Sequence, residues 1–84
     1  MPYSIIIPVY NEIQTLTLLL KHLEPLSKNN EIIFVDDGSD DGSIQLLEKY
    51  NFINLIILGK NYGKGTAIRK GIQISNNKKI LLID

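Results

Sequence analysis

The chain has 84 residues, of which 44% are apolar, and its nine basic and nine acidic residues give a formal net charge of zero. This length allows one small domain, and the balanced charge argues against electrostatic binding to nucleic acid or to an anionic membrane. The absence of cysteine excludes disulfides and thiolate metal sites, and the single histidine argues against a zinc site built on histidine. Without a leader-like start or an apolar run of about 20 residues, the sequence predicts a soluble, cytoplasmic chain.

The first predicted strand covers residues 3–7, which end in three isoleucines. Pro8 should end this strand, because proline cannot donate a hydrogen bond to a central ladder. Residues 8–12 then form a loop, in which Asn11 is a good N-cap for the helix that follows. That helix carries an apolar stripe at steps of three and four residues, formed by Ile13, Leu16, Leu20 and Leu23. Pro25 and the polar residues after it should end the helix.

Residues 31–43 change abruptly from a β-branched and aromatic run to carboxylates, glycines and serines. The apolar part, residues 32–35, is typical of a parallel strand buried on both faces. The polar part then lies at the carboxyl end of that strand, where open α/β sheets bind ligands. Its aspartates repel one another unless hydroxyls, amides or cations compensate them.

The alternative interpretation of this polar segment is an acidic turn that caps a helix. Ser39 or Asp40 can cap this second helix, which is predicted to extend to about residue 50. Asp36 is expected to tie loops together by hydrogen bonds. Asp40 and Asp41 are expected to form a solvated helix start, which the helix dipole favours.

The rest of the chain predicts a third buried strand at residues 52–58, a helix at residues 66–75 and a fourth strand at residues 80–83. The loop at residues 59–65 is rich in glycine, and glycines before a helix leave backbone amides free for an anion. This loop differs from a P-loop, because Gly65 separates Lys64 from Thr66 where that motif needs Gly-Lys-Ser/Thr in succession. A flexible turn with Lys64 in solvent is the alternative.

The alternation β-α-β-α-β-α-β predicts an α/β fold with a mostly parallel sheet and right-handed crossovers. The carboxyl ends of parallel strands lie at one edge of the sheet. Polar and charged residues follow all four predicted strands, at residues 8–12, 36–39 and 61–65 and at Asp84. We therefore expect a ligand site at this edge.

Four segments combine into a longer pattern: SIIIPVYNE at residues 4–12, EIIFVDDGSDDGS at 31–43, NYGKGTAIRKG at 61–71 and ILLID at 80–84. In this order they resemble the family 2 inverting glycosyltransferases with the GT-A fold. The third segment is similar to the branch that includes dolichol-phosphate mannose synthases and related polyprenyl-phosphate sugar transferases. The last segment is similar to the strand that leads into the Asp-X-Asp metal motif of the family.

The resemblance implies a Rossmann-like, three-layer α/β/α fold with strand order 3-2-1-4, the N-terminal half of a GT-A fold. Residues 1–84 would form a single nucleotide-sugar-binding domain, truncated at the first aspartate of Asp-X-Asp. The implied reaction is inverting glycosyl transfer from a UDP- or GDP-linked sugar to a polyprenyl phosphate or a glycan. The full-length enzyme would use Mg²⁺ or Mn²⁺ and could associate with the inner face of a membrane, while the fragment alone is expected to be inactive.

The resemblance also implies which residues bind the nucleotide. Asp37 matches the carboxylate that binds the base, and a carboxylate can accept a hydrogen bond from a base N–H. Its alternative role is to cap the second helix. Asp84 matches the carboxylate that meets the ribose and the metal ion, and Tyr10 fits either the pocket or the core. The implied nucleotide-binding set is Pro8, Val9, Tyr10, Asn11, Glu12, Asp37, Gly38, Lys64, Arg69 and Asp84.

A non-catalytic nucleotide-binding or regulatory α/β module is the alternative function. Receiver domains also carry acidic clusters at strand ends, but they place the aspartate pair after the first strand, where this chain has Pro-Val-Tyr-Asn. The fourth strand is apolar and ends the sequence, and exposed apolar edge strands tend to pair with another chain. We therefore expect the fragment to form a homo-oligomer through this strand.

Overall fold

Strands and helices alternate through the part of the chain that the structure, a computed structural model, describes, which is residues 2–84. The strands are β1 (Tyr3–Val9), β2 (Glu31–Asp36), β3 (Asn54–Ile57) and β4 (Lys79–Leu82). The helices are α1 (Ile13–Leu23), α2 (Ser43–Leu47) and α3 (Lys64–Ile74), and a 3-10 helix at Glu24–Lys28 follows α1. No helix within residues 2–84 is long and apolar enough to cross a membrane.

All neighbouring strands of the sheet are parallel, and their order is β3-β2-β1-β4. This arrangement confirms the predicted order 3-2-1-4. The chain crosses from one side of β1 to the other between β3 and β4, so the order reverses next to β1. Such a reversal opens a crevice at the carboxyl ends of the strands.

Helices cover both faces of the sheet, which gives the expected three layers. On one face, Ile5 and Phe34 of the sheet pack with Leu16 of α1 and Leu47 of α2. On the other face, Ile6, Ile33 and Val35 pack with Ala67 of α3. Gly71 lets α3 approach this face closely, because a Cβ there would lie 2.6 Å from the side chain of Ile6.

Pro8 does not end β1, and the prediction that it would is wrong. The strand continues to Val9, and Pro8 pairs with Val35 of β2. The carbonyl of Ile6 accepts a hydrogen bond from the N–H of Ile83. Every second residue of a strand directs its backbone groups to the same neighbouring strand, so the backbone of Pro8 also faces the side of β4. The last pair of the β1–β4 ladder is Ile6 with Leu82, so Pro8 lies beyond the end of that ladder and interrupts none of its pairs.

The predicted helix caps are also wrong. Asn11 has φ of 50° and lies outside α1, whose N-cap is Glu12, without a capping side chain. The second helix begins only at Ser43, after Gly42, and ends at Leu47. Asp41 is not simply solvated, because its carboxylate accepts from the N–H of Ile13 at 3.0 Å and from the N–H and hydroxyl of Ser43 at 3.0 and 2.6 Å. One carboxylate therefore stabilises the starts of both helices.

Asp41→Asn should destabilise the folded chain at neutral pH, and the difference from wild type should shrink below about pH 4. The hydroxyl of Ser43, with the N–H groups of Ile13 and Ser43, holds the pKa of Asp41 below its ordinary value. A carboxyl group whose pKa is lower in the folded than in the unfolded chain stabilises the fold at pH values above its pKa in the unfolded chain. This stabilisation is lost as the pH falls through the pKa of the folded chain. Urea denaturation across this pH range measures the effect. Asp40→Asn is the control, because within residues 2–84 no hydrogen bond reaches the Asp40 carboxylate. The same pH dependence in this control would contradict the assignment of the effect to Asp41.

β3 is shorter than predicted, β4 is shifted by one residue toward the N-terminus, and α3 begins earlier, at Lys64. The predicted burial of the third strand is wrong, because β3 is an edge strand and Ile57 is 47% exposed. On β4, Leu81 and Leu82 are each 44% exposed. Apolar composition predicted both strands, but it overestimated the burial of β3, because β3 lies at an edge of the sheet.

Candidate functional site

The carboxyl edge of the sheet holds a cavity of about 310 Å³. Segments that follow all four strands contribute to its walls. The lining residues are Pro8, Val9, Tyr10, Glu12, Asp37, Asn61, Gly63, Lys64 and Asp84. The predicted convergence of strand ends thus produces a cavity at the point where the strand order reverses.

Asp36 and Asn11 fix the first two loops of this edge. One oxygen of the buried Asp36 carboxylate accepts from the N–H groups of Gly38 and Ser39, at 3.2 and 2.9 Å. The other oxygen is buried without a partner among the described residues. Asn11 donates its N–H to the Ser39 hydroxyl at 2.9 Å and accepts from the N–H of Asp40 at 2.8 Å. The Ser39 hydroxyl therefore joins the two loops and does not cap a helix.

Asp37 holds the glycine-rich loop against the sheet. Its carboxylate accepts from the N–H of Tyr62 at 2.7 Å and from the N–H of Gly63 at 2.9 Å. Its own N–H donates to the carbonyl of Val9 at 2.8 Å, and the residue is only 4% exposed. Asp37 therefore links three segments of the cavity wall and does not cap the second helix.

Gly38 allows the glycine-rich loop to lie directly on the β2 loop. Its φ is +84°, and a Cβ at this position would lie 2.5 Å from backbone atoms of Lys60 and Asn61. No side chain fits in that gap, because both neighbours are backbone. The dipeptide Asp37–Gly38 thus positions the loop by hydrogen bonds and by close contact.

Lys64 and Asp84 form an ion pair in the cavity lining. Lys64 is the first residue of α3, and its Nζ lies 2.6 Å from Oδ1 of Asp84. This is the only ion pair within residues 2–84, and both side chains are more than half exposed. With Glu12 and Asp37, the cavity lining contains three carboxylates and one ammonium group.

The carboxylates of this lining do not form a complete metal site by themselves. Among the residues that the structure describes, no three acidic or histidine side chains cluster tightly enough to hold a metal ion. Asp84 nevertheless fits a metal such as Mg²⁺, which binds through one or two carboxylates together with substrate phosphates and waters. The remaining oxygens would have to come from a diphosphate and from solvent.

Residues 4–84 match the sequence profile of the family described as "Glycosyl transferase family 2". The chain belongs to this family. The resemblance that the four sequence segments indicated is therefore confirmed over nearly the whole chain.

Curated relatives of this family 2 chain include an undecaprenyl-phosphate 4-deoxy-4-formamido-L-arabinose transferase of Proteus mirabilis, 38% identical over 90 residues. The alignment covers 96% of this chain and 28% of that protein. The "Uncharacterized glycosyltransferase YkcC" of Bacillus subtilis is 34% identical, with 98% of this chain and 28% of that protein covered. The chain thus spans little more than a quarter of the length of these relatives.

Two solved structures share the fold. TarS of S. aureus, residues 1–349, matches with a TM-score of 0.84 and 32% identity, covering 100% of this chain and 27% of that one. The mannosyltransferase PcManGT of Pyrobaculum calidifontis, solved with GDP-Man and Mn²⁺, matches with a TM-score of 0.76 and 20% identity. The match covers 93% of this chain and 25% of that one. The expected fold, that of the N-terminal part of GT-A glycosyltransferases, is confirmed by these matches.

Seven of the ten predicted nucleotide-binding residues of this family 2 chain line the cavity: Pro8, Val9, Tyr10, Glu12, Asp37, Lys64 and Asp84. The structure does not bring Asn11, Gly38 or Arg69 into the lining. Asn11 and Gly38 support the loops behind it, and the exposed Arg69 donates to the Thr66 hydroxyl at 3.1 Å. Tyr10 is 48% exposed, so it is a wall residue and not part of the core.

The predicted set omitted Asn61 and Gly63, which also line the cavity. The glycines of residues 59–65 indicated a loop near an anion site, but they did not indicate which side chains the loop presents. The orientation of the loop follows from the hydrogen bonds that the Tyr62 and Gly63 amides donate to Asp37. These bonds hold Asn61 and Gly63, on either side of Tyr62, at the cavity wall.

Proposed function

We propose that residues 1–84 form the donor-binding part of a glycosyltransferase that transfers a sugar from a nucleoside-diphosphate sugar with inversion. The observation that carries this proposal is the cavity at the reversal of strand order, lined by residues from all four strand ends. In open α/β sheets this is the position at which nucleotides bind. Membership in family 2 supports a glycosyl donor as the nucleotide.

The nucleoside half of the donor is assigned to the walls near β1 and β2. Pro8, Val9 and Tyr10 supply apolar and aromatic surface, and Asp37 supplies an acceptor for a base N–H. Each Asp37 oxygen already accepts one backbone amide, and each retains a further lone pair. Asp37 would therefore contact the base while also holding the loop. Glu12 is assigned to the nucleotide from its place in the lining.

The diphosphate half is assigned to Lys64 and Asp84. Among residues 2–84, Lys64 is the only cation in the cavity lining, and it stands at the N-terminus of α3, where the helix dipole favours anions. Mg²⁺ or Mn²⁺ would be held by Asp84 together with the diphosphate and would compensate the negative charge of the leaving group. The Mn²⁺ and GDP-Man of PcManGT belong to that protein, whose identity to this chain supports the fold alone.

The acceptor is assigned from the relatives and not from the cavity. Several relatives are named undecaprenyl-phosphate transferases, so a polyprenyl phosphate is the proposed acceptor of the complete enzyme, with a glycan as the other candidate. Work on a lipid acceptor would place that enzyme at the inner face of a membrane. Because this chain spans about 28% of those relatives, we expect no transfer activity from it alone.

Titration of the chain with UDP and GDP, followed by NMR amide shifts, tests the proposed function. Shifts confined to the cavity lining would support it. The choice between the two bases follows from the same titration, because only the base differs between the two ligands.

The chain is also proposed to self-associate through β4. This strand pairs only with β1 on one side, and Leu81 and Leu82 are both exposed. Exposed apolar edge strands favour pairing with another chain. Leu82→Lys should therefore lower the fraction of dimer measured by light scattering at millimolar concentration. Leu18→Lys, at an exposed leucine of α1, is the control and should leave it unchanged. A wild-type chain that is monomeric at this concentration would contradict the proposal.

A further inference from the structure

The ion pair of the cavity joins the two groups that a donor and its metal ion would need separately. Nζ of Lys64 lies 2.6 Å from Oδ1 of Asp84, and both residues line the cavity. The other carboxylates of the lining, those of Glu12 and Asp37, make no ion pair within residues 2–84. Among the described residues, the single ammonium group of the cavity is therefore held by Asp84, the carboxylate assigned to the metal ion.

Binding of either ligand must compete with this contact. A diphosphate would be attracted to the Lys64 ammonium, at the start of a helix that has no acidic residue in its first turn. In the structure the Asp84 carboxylate lies beside that ammonium, as a phosphate oxygen would. A divalent cation at Asp84 would in turn face the ammonium at ion-pair distance and would be repelled by it.

We propose that Lys64 couples the binding of the donor diphosphate to the binding of the divalent cation, by moving from Asp84 to the diphosphate. Lys64 is thus a positioning residue with two effects of opposite sign. It weakens cation binding in the absence of nucleotide and strengthens nucleotide binding. The proposal rests on the proposed function, because it assigns the diphosphate to this cavity.

The exposure of the pair sets the size of the expected effect. Lys64 and Asp84 are 58% and 55% exposed, and exposed ion pairs contribute little net stability because solvent screens them. Lys64 can therefore readily exchange Asp84 for another partner, as the proposed coupling requires. Removing it should change the affinity of a competing ion by about two- to fivefold.

The first experiment measures Mn²⁺ binding without nucleotide, from the paramagnetic broadening of the Ile83 and Asp84 amide resonances. Lys64→Gln should bind Mn²⁺ about two- to fivefold more tightly than wild type. Lys70→Gln, at an exposed residue of the same helix outside the cavity, removes the same charge and is the matched control. An unchanged or weaker Mn²⁺ affinity in Lys64→Gln, or an equal gain in the control, would overturn the proposal.

The second experiment measures UDP and GDP binding to the same variants, with and without Mn²⁺. Lys64→Gln should weaken nucleotide binding without metal, and its advantage in Mn²⁺ affinity should disappear at saturating nucleotide. By linkage, the nucleotide and the cation must change each other's affinity by the same factor. If wild type binds neither nucleotide in either condition, the proposed function fails. If it binds one of them but Lys64→Gln leaves the Mn²⁺ affinity unchanged, only the coupling role of Lys64 fails.

Discussion

Gly38→Ala should destabilise the folded chain by about 3 kcal/mol and disrupt the cavity. A side chain at φ of +84° costs about 1–2 kcal/mol, and its Cβ would meet the backbone of Lys60 and Asn61 at 2.5 Å. Crowding against backbone adds a further 1–3 kcal/mol, on the order of other overpacked sites. A domain of this size has a free energy of unfolding of about 4–12 kcal/mol, so the loss is a large share. Urea denaturation measures it.

Gly59→Ala separates the two causes of this loss. Gly59 has a similar φ of +90°, but among the described residues no atom beyond its two chain neighbours lies within 4 Å of the position its Cβ would take. This variant should therefore show only the backbone strain, about 1–2 kcal/mol. Equal losses in Gly38→Ala and Gly59→Ala would show that the close contact between the two loops does not contribute.

Asp37→Ala should weaken nucleotide binding by at least about tenfold and release the glycine-rich loop. The variant loses an acceptor for the base and leaves the N–H groups of Tyr62 and Gly63 without their partner. A hydrogen bond to a charged group contributes about 1.5–3 kcal/mol, which corresponds to a factor of roughly ten or more. The affinity is measured by titration, and release of the loop by faster hydrogen exchange of the Tyr62 and Gly63 amides.

Asp40→Ala provides the control for Asp37→Ala. Asp40 belongs to the same acidic segment, but it is exposed and lies outside the cavity lining. Asp40→Ala should bind nucleotide with wild-type affinity and leave the hydrogen exchange of the Gly63 amide unchanged. Wild-type affinity in Asp37→Ala would remove Asp37 from the site, while lost affinity with slow exchange of Gly63 would contradict its role in holding the loop.

Much of the fold could be predicted from the sequence because hydrophobic period and strand polarity are local signals. The apolar stripe of α1 and the buried run of β2 are each visible within one segment, and the resemblance to family 2 added the strand order. Pro8 shows the limit of such signals. Its effect depends on the extent of the ladder between β1 and β4, whose paired residues lie more than 70 positions apart.

The site was predictable in position but less so in detail. Parallel strands bring their carboxyl ends together, so the edge of the sheet followed directly from the order of elements. Hydrogen bonds between distant loops decided the rest. Asp41 interacts with Ile13, and Asp37 interacts with Gly63, over separations of 28 and 26 residues. Local preferences for caps and turns do not report such partners, so Asp41 was expected to be solvated and Asn61 was missed.

Binding of a nucleoside diphosphate to the cavity is the most direct test of the proposed function. We expect UDP or GDP to shift the amide resonances of Val9, Tyr10, Asn61, Gly63 and Lys64, with little change at the opposite edge of the sheet, near Asn30 and Asn76. The measurement is an NMR titration of the wild-type chain with each nucleotide, in the presence and in the absence of Mn²⁺. Saturable shifts confined to the cavity lining are the predicted result. No shifts at millimolar nucleotide in any condition, or shifts spread evenly over the surface, would contradict the account.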